Sequence, residues 1–186
     1  MFVFLTLPFF SANANAMPSV EDYAALPEIS QMVISPDGKR FAYRQTSKEQ
    51  DLIVVRDMKD MSKRGLLDVS EVKPFGIDFV DSDKVLLHSQ KESYIKGARG
   101  RYDINTVAAY SVENNQIHRL LQPGFGIYER QRYLGWIVGI SPDAKEAFMP
   151  ALWEKDKFSL VSASLERSKR PNRKLNVPTD TIDFFM

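Results

Sequence analysis

A polar turn of one design recurs three times between apolar runs, and that recurrence restricts the chain to a narrow set of folds. The copies read Ser35-Pro36-Asp37-Gly38, Asp81-Ser82-Asp83-Lys84 and Ser141-Pro142-Asp143-Ala144. Each follows a strand-like run (residues 29–34, 75–80 and 136–140) and precedes another (40–45, 85–90 and 146–149). Proline presets the first corner, aspartate bonds back to its own backbone, and glycine or a polar residue relaxes the exit, so each copy reads as a β-hairpin. Successive copies begin 46 and 60 residues apart. A four-stranded propeller blade repeats at roughly 40 to 50 residues, and a loop insertion stretches the second interval. The expected fold is all-β: an incomplete β-propeller of about three four-stranded blades plus the first strand of a fourth.

Blade one is expected over residues 29–73, blade two with long loops over 74–135, and blade three over 136–180, with 181–186 opening the fourth. The run 51–57 is β-branched between charges, as a buried strand should be. Residues 106–112 and 117–121 read as an outer hairpin turned at 113–116, and 158–164 as the third strand of the last blade. A propeller closes only when roughly four to eight blades meet. Three leave open sheet edges and an uncovered blade face. The chain is therefore expected to be the N-terminal piece of a longer protein.

Residues 1–16 read as a secretory signal, with an apolar run over 2–10 and small residues up to an Ala14-x-Ala16 cleavage site. No Lys or Arg precedes the run, so the true start is expected upstream; a folded apolar N-terminal strand is the alternative. The run is too short for a helix that crosses a bilayer, which needs about 20 apolar residues, so an exported chain, periplasmic or secreted and without a stable membrane span, is expected. Residues 17–28 form a leader in which Ser19 and Asp22 have N-cap spacing for a short helix over 20–26, stopped by Pro27. The chain has no cysteine, which excludes thiol chemistry and cysteine-ligated metal in this stretch. A formal charge of +1 gives no reason to expect nucleic acid as a partner.

Successive strands of a blade alternate in direction. The connections from second to third strand and from one blade to the next therefore emerge on one face. Both long insertions, 91–105 and 122–135, are of that kind, and the shorter 152–157 joins them. They carry Tyr94, Arg99, Arg101, Tyr102, Tyr128, Arg132 and Trp153, together with Phe125, Arg130 and Tyr133. Arg and aromatic side chains combine area, fixed geometry and directional bonding, which makes this rim the candidate binding face. The opposite face receives the hairpin turns and the basic run 167–174, read as solvated.

No catalytic residue is expected here. Gly-x-Ser-x-Gly does not occur, and His88 and His118 lie inside expected strands rather than on loops suited to a triad. No His, Cys or carboxylate pair has metal-ligand spacing. Gly124-x-Gly126 and Gly97-x-x-Gly100 lack the remaining parts of a nucleotide loop, so no cofactor is expected.

The order of these parts, a leader, a short helix ending at Leu26-Pro27 and then Ser35-Pro36-Asp37-Gly38-Lys39-Arg40-Phe41-Ala42-Tyr43, resembles the start of exported peptidases of the prolyl oligopeptidase family. The similarity is greatest to the acylaminoacyl-peptidase and dipeptidyl-aminopeptidase branch. The resemblance implies a propeller that filters peptides for a downstream α/β-hydrolase domain. That domain and peptide substrates would be the partners, and the catalytic Ser, Asp and His would all lie beyond Met186. The dipeptidyl branch holds the substrate amino terminus with adjacent glutamates. No Glu-Glu pair occurs here, and Tyr128-Glu129-Arg130 shares only a fragment of that motif, so strict dipeptidyl specificity is not expected. A periplasmic propeller that binds a protein or peptide on the Arg and aromatic face is the alternative.

Overall fold

The computed structural model describes Val20 and residues 27–95, 97–124, 126–153 and 157–176. Strands β1 (Ile29–Ile34), β2 (Arg40–Thr46), β3 (Asp51–Asp57) and β4 (Lys63–Asp68) form a first antiparallel sheet in that order. The second contains β5 (Lys73–Phe79), β6 (Lys84–Tyr94), β7 (Arg101–Ser111) and β8 (Gln116–Arg119), with the short β9 (Tyr133–Leu134) pairing parallel to β7. The third contains β10 (Gly139–Ile140), β11 (Glu146–Trp153), β12 (Lys157–Ser164) and β13 (Asn172–Asn176). The chain is thus all-β, with successive four-stranded antiparallel sheets in a propeller-like arrangement. The expected signal peptide, the leader helix save for Val20, and the opening of a fourth blade lie outside the described residues.

Two expectations require correction. Residues 91–105 are not a loop: β6 and β7 continue their ladder from Lys91↔Ile104 to Tyr94↔Arg101, which makes one long hairpin. The basic run at 167–174 is not all loop either, because Asn172 begins β13. In both places polar side chains alternate along strands, and the backbone ladder forms without an apolar face to announce it.

The recurring turn owes its shape to local bonds. In the first copy the Ser35 amide donates to the Arg40 carbonyl at 2.9 Å and the Gly38 amide to the Ser35 carbonyl at 2.9 Å. The Ser35 hydroxyl donates to Asp37 Oδ1 at 2.8 Å and accepts from the Arg40 amide at 2.9 Å. The third copy repeats the set: Ser141 Oγ lies 2.6 Å from Asp143 Oδ1 and accepts from the Glu146 amide at 2.9 Å. The middle copy is one residue tighter. Its Val80 amide donates to the Lys84 carbonyl at 2.9 Å, and Asp81 takes the serine's place by accepting from the amides of Asp83 (2.8 Å) and Lys84 (2.7 Å). Asp83 is then free to staple the neighbouring β7–β8 turn, accepting from Ser111 Oγ at 2.8 Å and the Glu113 amide at 2.7 Å.

Gly38 adopts φ +69°, and Ala144 occupies the equivalent corner at φ +54°. A left-handed conformation costs a β-carbon about 1–2 kcal/mol. Ala144→Gly is therefore expected to stabilise the chain by about 0.5–1 kcal/mol after the extra unfolded-state entropy of glycine is subtracted. Urea unfolding of the two proteins checks this, and a lower midpoint in the variant contradicts it.

Serine hydroxyls, chiefly, hold the carboxyls of Asp37 and Asp143 below their ordinary range. For Asp81, burial on its own pushes the carboxyl up, but the Lys84 side chain and the turn amides together outweigh it and the net shift is downward. A carboxyl with a lower pKa in the folded state contributes stability that is complete above its unfolded pKa of about 4 and disappears as pH falls through the folded value. Urea midpoints are thus expected to fall as pH drops below about 4. In Asp81→Asn the decline should be shallower; an identical decline would remove Asp81 from the account.

Both faces of the second sheet are buried. Val85, Leu87 and Tyr110 face the first sheet's Ala42, Ile53 and Val55. Leu86, Val107 and Ala109, one residue out of phase on the same strands, face Ala147, Met149, Ala151 and Val161 of the third. That double burial explains why 85–87 and 107–110 read as continuous apolar runs rather than alternating ones.

Candidate functional site

Beyond Gln90, where the pairing of β6 with β5 ends, the β6–β7 hairpin projects as a two-stranded ribbon. Residues on its strands alternate between faces. Tyr94 stands opposite Arg101 and Glu92 opposite Asp103, while Ser93 opposes Tyr102 and Lys91 opposes Ile104. The Arg101 guanidinium lies 5.6 Å from the Tyr94 ring centroid and 3.6 Å from the Glu92 carboxylate. Tyr94 itself is 74% exposed. At the tip, the Tyr102 hydroxyl donates to the Arg99 carbonyl at 2.7 Å.

The 126–135 segment lies along this ribbon. Its parallel pairing matches Asn105 with Tyr133 and Thr106 with Leu134, and the Asn105 amide donates to the Arg132 carbonyl at 2.8 Å. Leu134 is buried in the core between the second and third sheets and anchors the segment. Arg132 then sits over the rings of Tyr102 (5.3 Å) and Tyr133 (5.5 Å). Arg130 donates to the Gly97 carbonyl at 3.1 Å. Gly97 permits this approach, since its φ is +74° and a β-carbon there would lie 2.7 Å from Arg130 Nη2.

Tyr128 and Trp153 belong to a neighbouring assembly. The Tyr128 amide donates to the Leu152 carbonyl at 2.8 Å, and the Gln131 side chain accepts from the Leu152 amide at 2.8 Å while donating to the Tyr133 carbonyl at 3.2 Å. Trp153 bridges to Ile127, lies against Gly126 and receives the Arg173 guanidinium 5.8 Å from its ring. The structure therefore sets Tyr94 and Arg101 together on one face of the ribbon and Tyr102, under Arg132, on the other, with Arg99 at the tip. Tyr128 and Trp153 attach through Gln131. Phe125 lies outside the described residues.

Sequence reasoning missed Glu92 and Gln131, which position their neighbours. Glu92 could have been found as the acid that alternates with Tyr94 across from Arg101 once the ribbon was recognised; Gln131 left no comparable signal. His88 presents Nδ1 to the Gly135 carbonyl and Nε2 to Asp78 Oδ2, both at 3.3 Å, and His118 Nε2 meets the Ser164 carbonyl at 3.0 Å. Both histidines serve as connectors between elements.

Beside the ribbon, between the first and second sheets, opens a cleft of about 720 Å³. Val69, Val72, Leu87 and Ile104 contribute to its walls, and Lys91 and Glu71, paired at 3.0 Å, line it as well. The arrangement offers cation–π faces, exposed phenol rings and an apolar recess. Those features combine stacking surfaces with apolar area.

The sequence matches no family model and no curated protein. Among solved structures it is similar to an acylaminoacyl peptidase in complex with Z-Gly-Gly-Phe-chloromethyl ketone, at a TM-score of 0.51 and 14% identity, covering 81% of this chain and 25% of that one. A Pyrococcus horikoshii acylaminoacyl peptidase in an orthorhombic crystal form aligns at a TM-score of 0.49 and 15% identity, covering 82% of this chain and 26% of that one. The likeness is one of fold, and this chain spans about a quarter of the length of those proteins.

Proposed function

We propose that this chain is the non-catalytic N-terminal propeller portion of an exported serine peptidase of the prolyl oligopeptidase family, which governs peptide access to a downstream α/β-hydrolase domain. The observation that carries the reading is the agreement between the expected order of turns and sheets and a fold similar to an acylaminoacyl peptidase. That peptidase was captured with a peptidyl chloromethyl ketone, which supports peptides as the substrate class here. The Arg–Tyr ribbon is the part of this chain that meets the substrate or the hydrolase domain.

The test is the product of the whole reading frame, treated with a serine-directed fluorophosphonate. Labelling of a serine beyond Met186 is expected, and a full-length product that takes no label rejects the peptidase reading. In the active protein, joint replacement of Arg99, Arg101 and Arg132 by Ala should change peptide turnover about tenfold. One lost interfacial Arg contact typically costs about 1–2 kcal/mol. A minimal ester substrate should be far less affected. Unchanged kinetics across peptides of several lengths would remove the ribbon from the substrate route.

The exposed Tyr94 and Tyr133 rings also favour a second reading, a propeller module that binds a protein or peptide without hydrolysing it. A reading frame that stops after further blades, with no Gly-x-Ser-x-Gly, selects that alternative.

A further inference from the structure

Most arginines of this chain are engaged. Arg40, Arg44, Arg64 and Arg101 reach carboxylates, Arg56 and Arg130 reach carbonyls, and Arg132 and Arg173 lie over rings. Arg99, Arg119, Arg167 and Arg170 depart from that pattern, with no such partner among the described residues, and two of them, Arg119 and Arg170, meet where the second sheet meets the third. There Arg119, Lys169 and Arg170 line one cleft of about 160 Å³ together with Gln122 and Ser168. No acidic side chain lines it.

The chain on both sides of this cleft is anchored. His118, beside Arg119, joins its ring to the Ser164 carbonyl across the seam at 3.0 Å. The Leu165 amide donates to the Lys145 carbonyl at 2.8 Å, and Leu165 and Pro171, at either end of the basic segment, are buried. Asp143, Glu146 and Glu166 line an adjoining cleft that Lys169 and Arg170 share, where Lys145 and Lys174 already engage the first two, and Asp68 and Glu71 line another that Arg119 shares. Two arginines, a lysine, a serine and a glutamine line one recess without a carboxylate, and these donors suit a tetrahedral oxyanion.

We infer that this seam is a binding site for a phosphoryl group, with Arg119 supplied by one sheet and Lys169 and Arg170 by the next. The group is carried either by a small soluble phosphate or by an anionic lipid head. The site is independent of the peptidase reading, although Arg119 and Gln122 also line the cleft beside the ribbon.

The test is isothermal titration of the 186-residue chain with pyrophosphate at low ionic strength. Paired with it is co-sedimentation with phosphatidylglycerol vesicles against phosphatidylcholine vesicles. Two variants accompany the wild type: Arg119→Gln/Arg170→Gln, and Arg99→Gln, which removes an arginine from the hairpin tip. Saturable binding is expected in the wild type. It should weaken at least tenfold in the double variant, as loss of charge-assisted bonds from two arginines requires, and stay within about twofold in Arg99→Gln. Vesicle binding that pyrophosphate displaces assigns the lipid source; pyrophosphate binding without vesicle binding assigns the soluble one. Absence of saturable binding to either probe overturns the proposal, as does an equal loss in Arg99→Gln, which would reduce the effect to overall charge. Unfolding midpoints of the variants, measured without ligand, separate loss of the site from loss of the fold.

Discussion

Gly126→Ala is expected to destabilise the chain by about 2–4 kcal/mol, combining the strain of a β-carbon at positive φ with the overpacking of a filled site. Gly126 has φ +99°, and a β-carbon there would stand 2.5, 2.6 and 2.9 Å from three atoms of the Trp153 ring. The indole cannot easily retreat: it packs against the core between the second and third sheets on one side and carries Arg173 on the other. Urea unfolding followed by tryptophan fluorescence measures the loss, since Trp153 is one of only two tryptophans in the chain. A double-mutant cycle with Trp153→Leu should return at least about 1 kcal/mol of coupling, the portion due to the clash rather than to φ. A single variant within about 0.5 kcal/mol of wild type would show that the loop gives way and that the close approach is not required.

The second large effect lies at the other seam. Tyr110, 1% exposed, reaches from β7 toward the first sheet, and its hydroxyl donates to Asn115 Oδ1 of the β7–β8 turn at 2.9 Å. Gly65 on β4 leaves it room, since a β-carbon there would sit 2.8 Å from the hydroxyl oxygen. Tyr110→Ala empties this position and should cost about 3–5 kcal/mol, as other buried aromatic truncations do. Tyr110→Phe keeps the ring and should cost only about 1 kcal/mol for the lost hydrogen bond. Burial, chiefly, pushes the phenol pKa above its ordinary value. A group with its pKa raised in the folded state contributes fully below the unfolded value and loses that contribution as pH rises through the folded one. The gap between wild type and Tyr110→Phe should therefore narrow above about pH 10. Equal costs for the two variants would mean that the ring does not join the sheets.

The turns carried most of what was legible beforehand. Ser35-Pro36-Asp37-Gly38 and its relatives specify their own hydrogen bonds within five or six residues, so β1 and β2 begin and end where the sequence pattern places them. Strands with a buried face were legible for the same reason, as 51–57 illustrates. The ribbon was not. Lys91, Glu92, Ser93 and Tyr94 have the composition of a loop, and they form a strand only because Arg101 through Ile104 lie opposite them. The parallel pairing of Tyr133 and Leu134 with β7 was equally hidden, because two residues cannot display a period and their partner is distant in sequence. The aromatic and arginine residues of the site were thus identified from composition. The stacking of Arg132 on Tyr102 and Tyr133, the pairing of Tyr94 with Arg101, and the separation of Trp153 against Gly126 are products of long-range pairing.

Within each sheet the neighbouring strands follow one another along the chain, β7 with β9 being the exception among the described pairs. Such ladders close early, since a hairpin forms in about 1–10 μs once both strands exist. A nascent chain can therefore complete the first sheet while the second is still unmade. Its inner face, Ala42, Ile53 and Val55, then waits for Val85, Leu87 and Tyr110 to cover it. At roughly 5–20 residues per second, the stretch from the end of the first sheet to Tyr110 takes several seconds to synthesise. During that interval an apolar face stands open to any passing chain. Order of appearance, rather than final stability, then decides where this fold needs a holding chaperone.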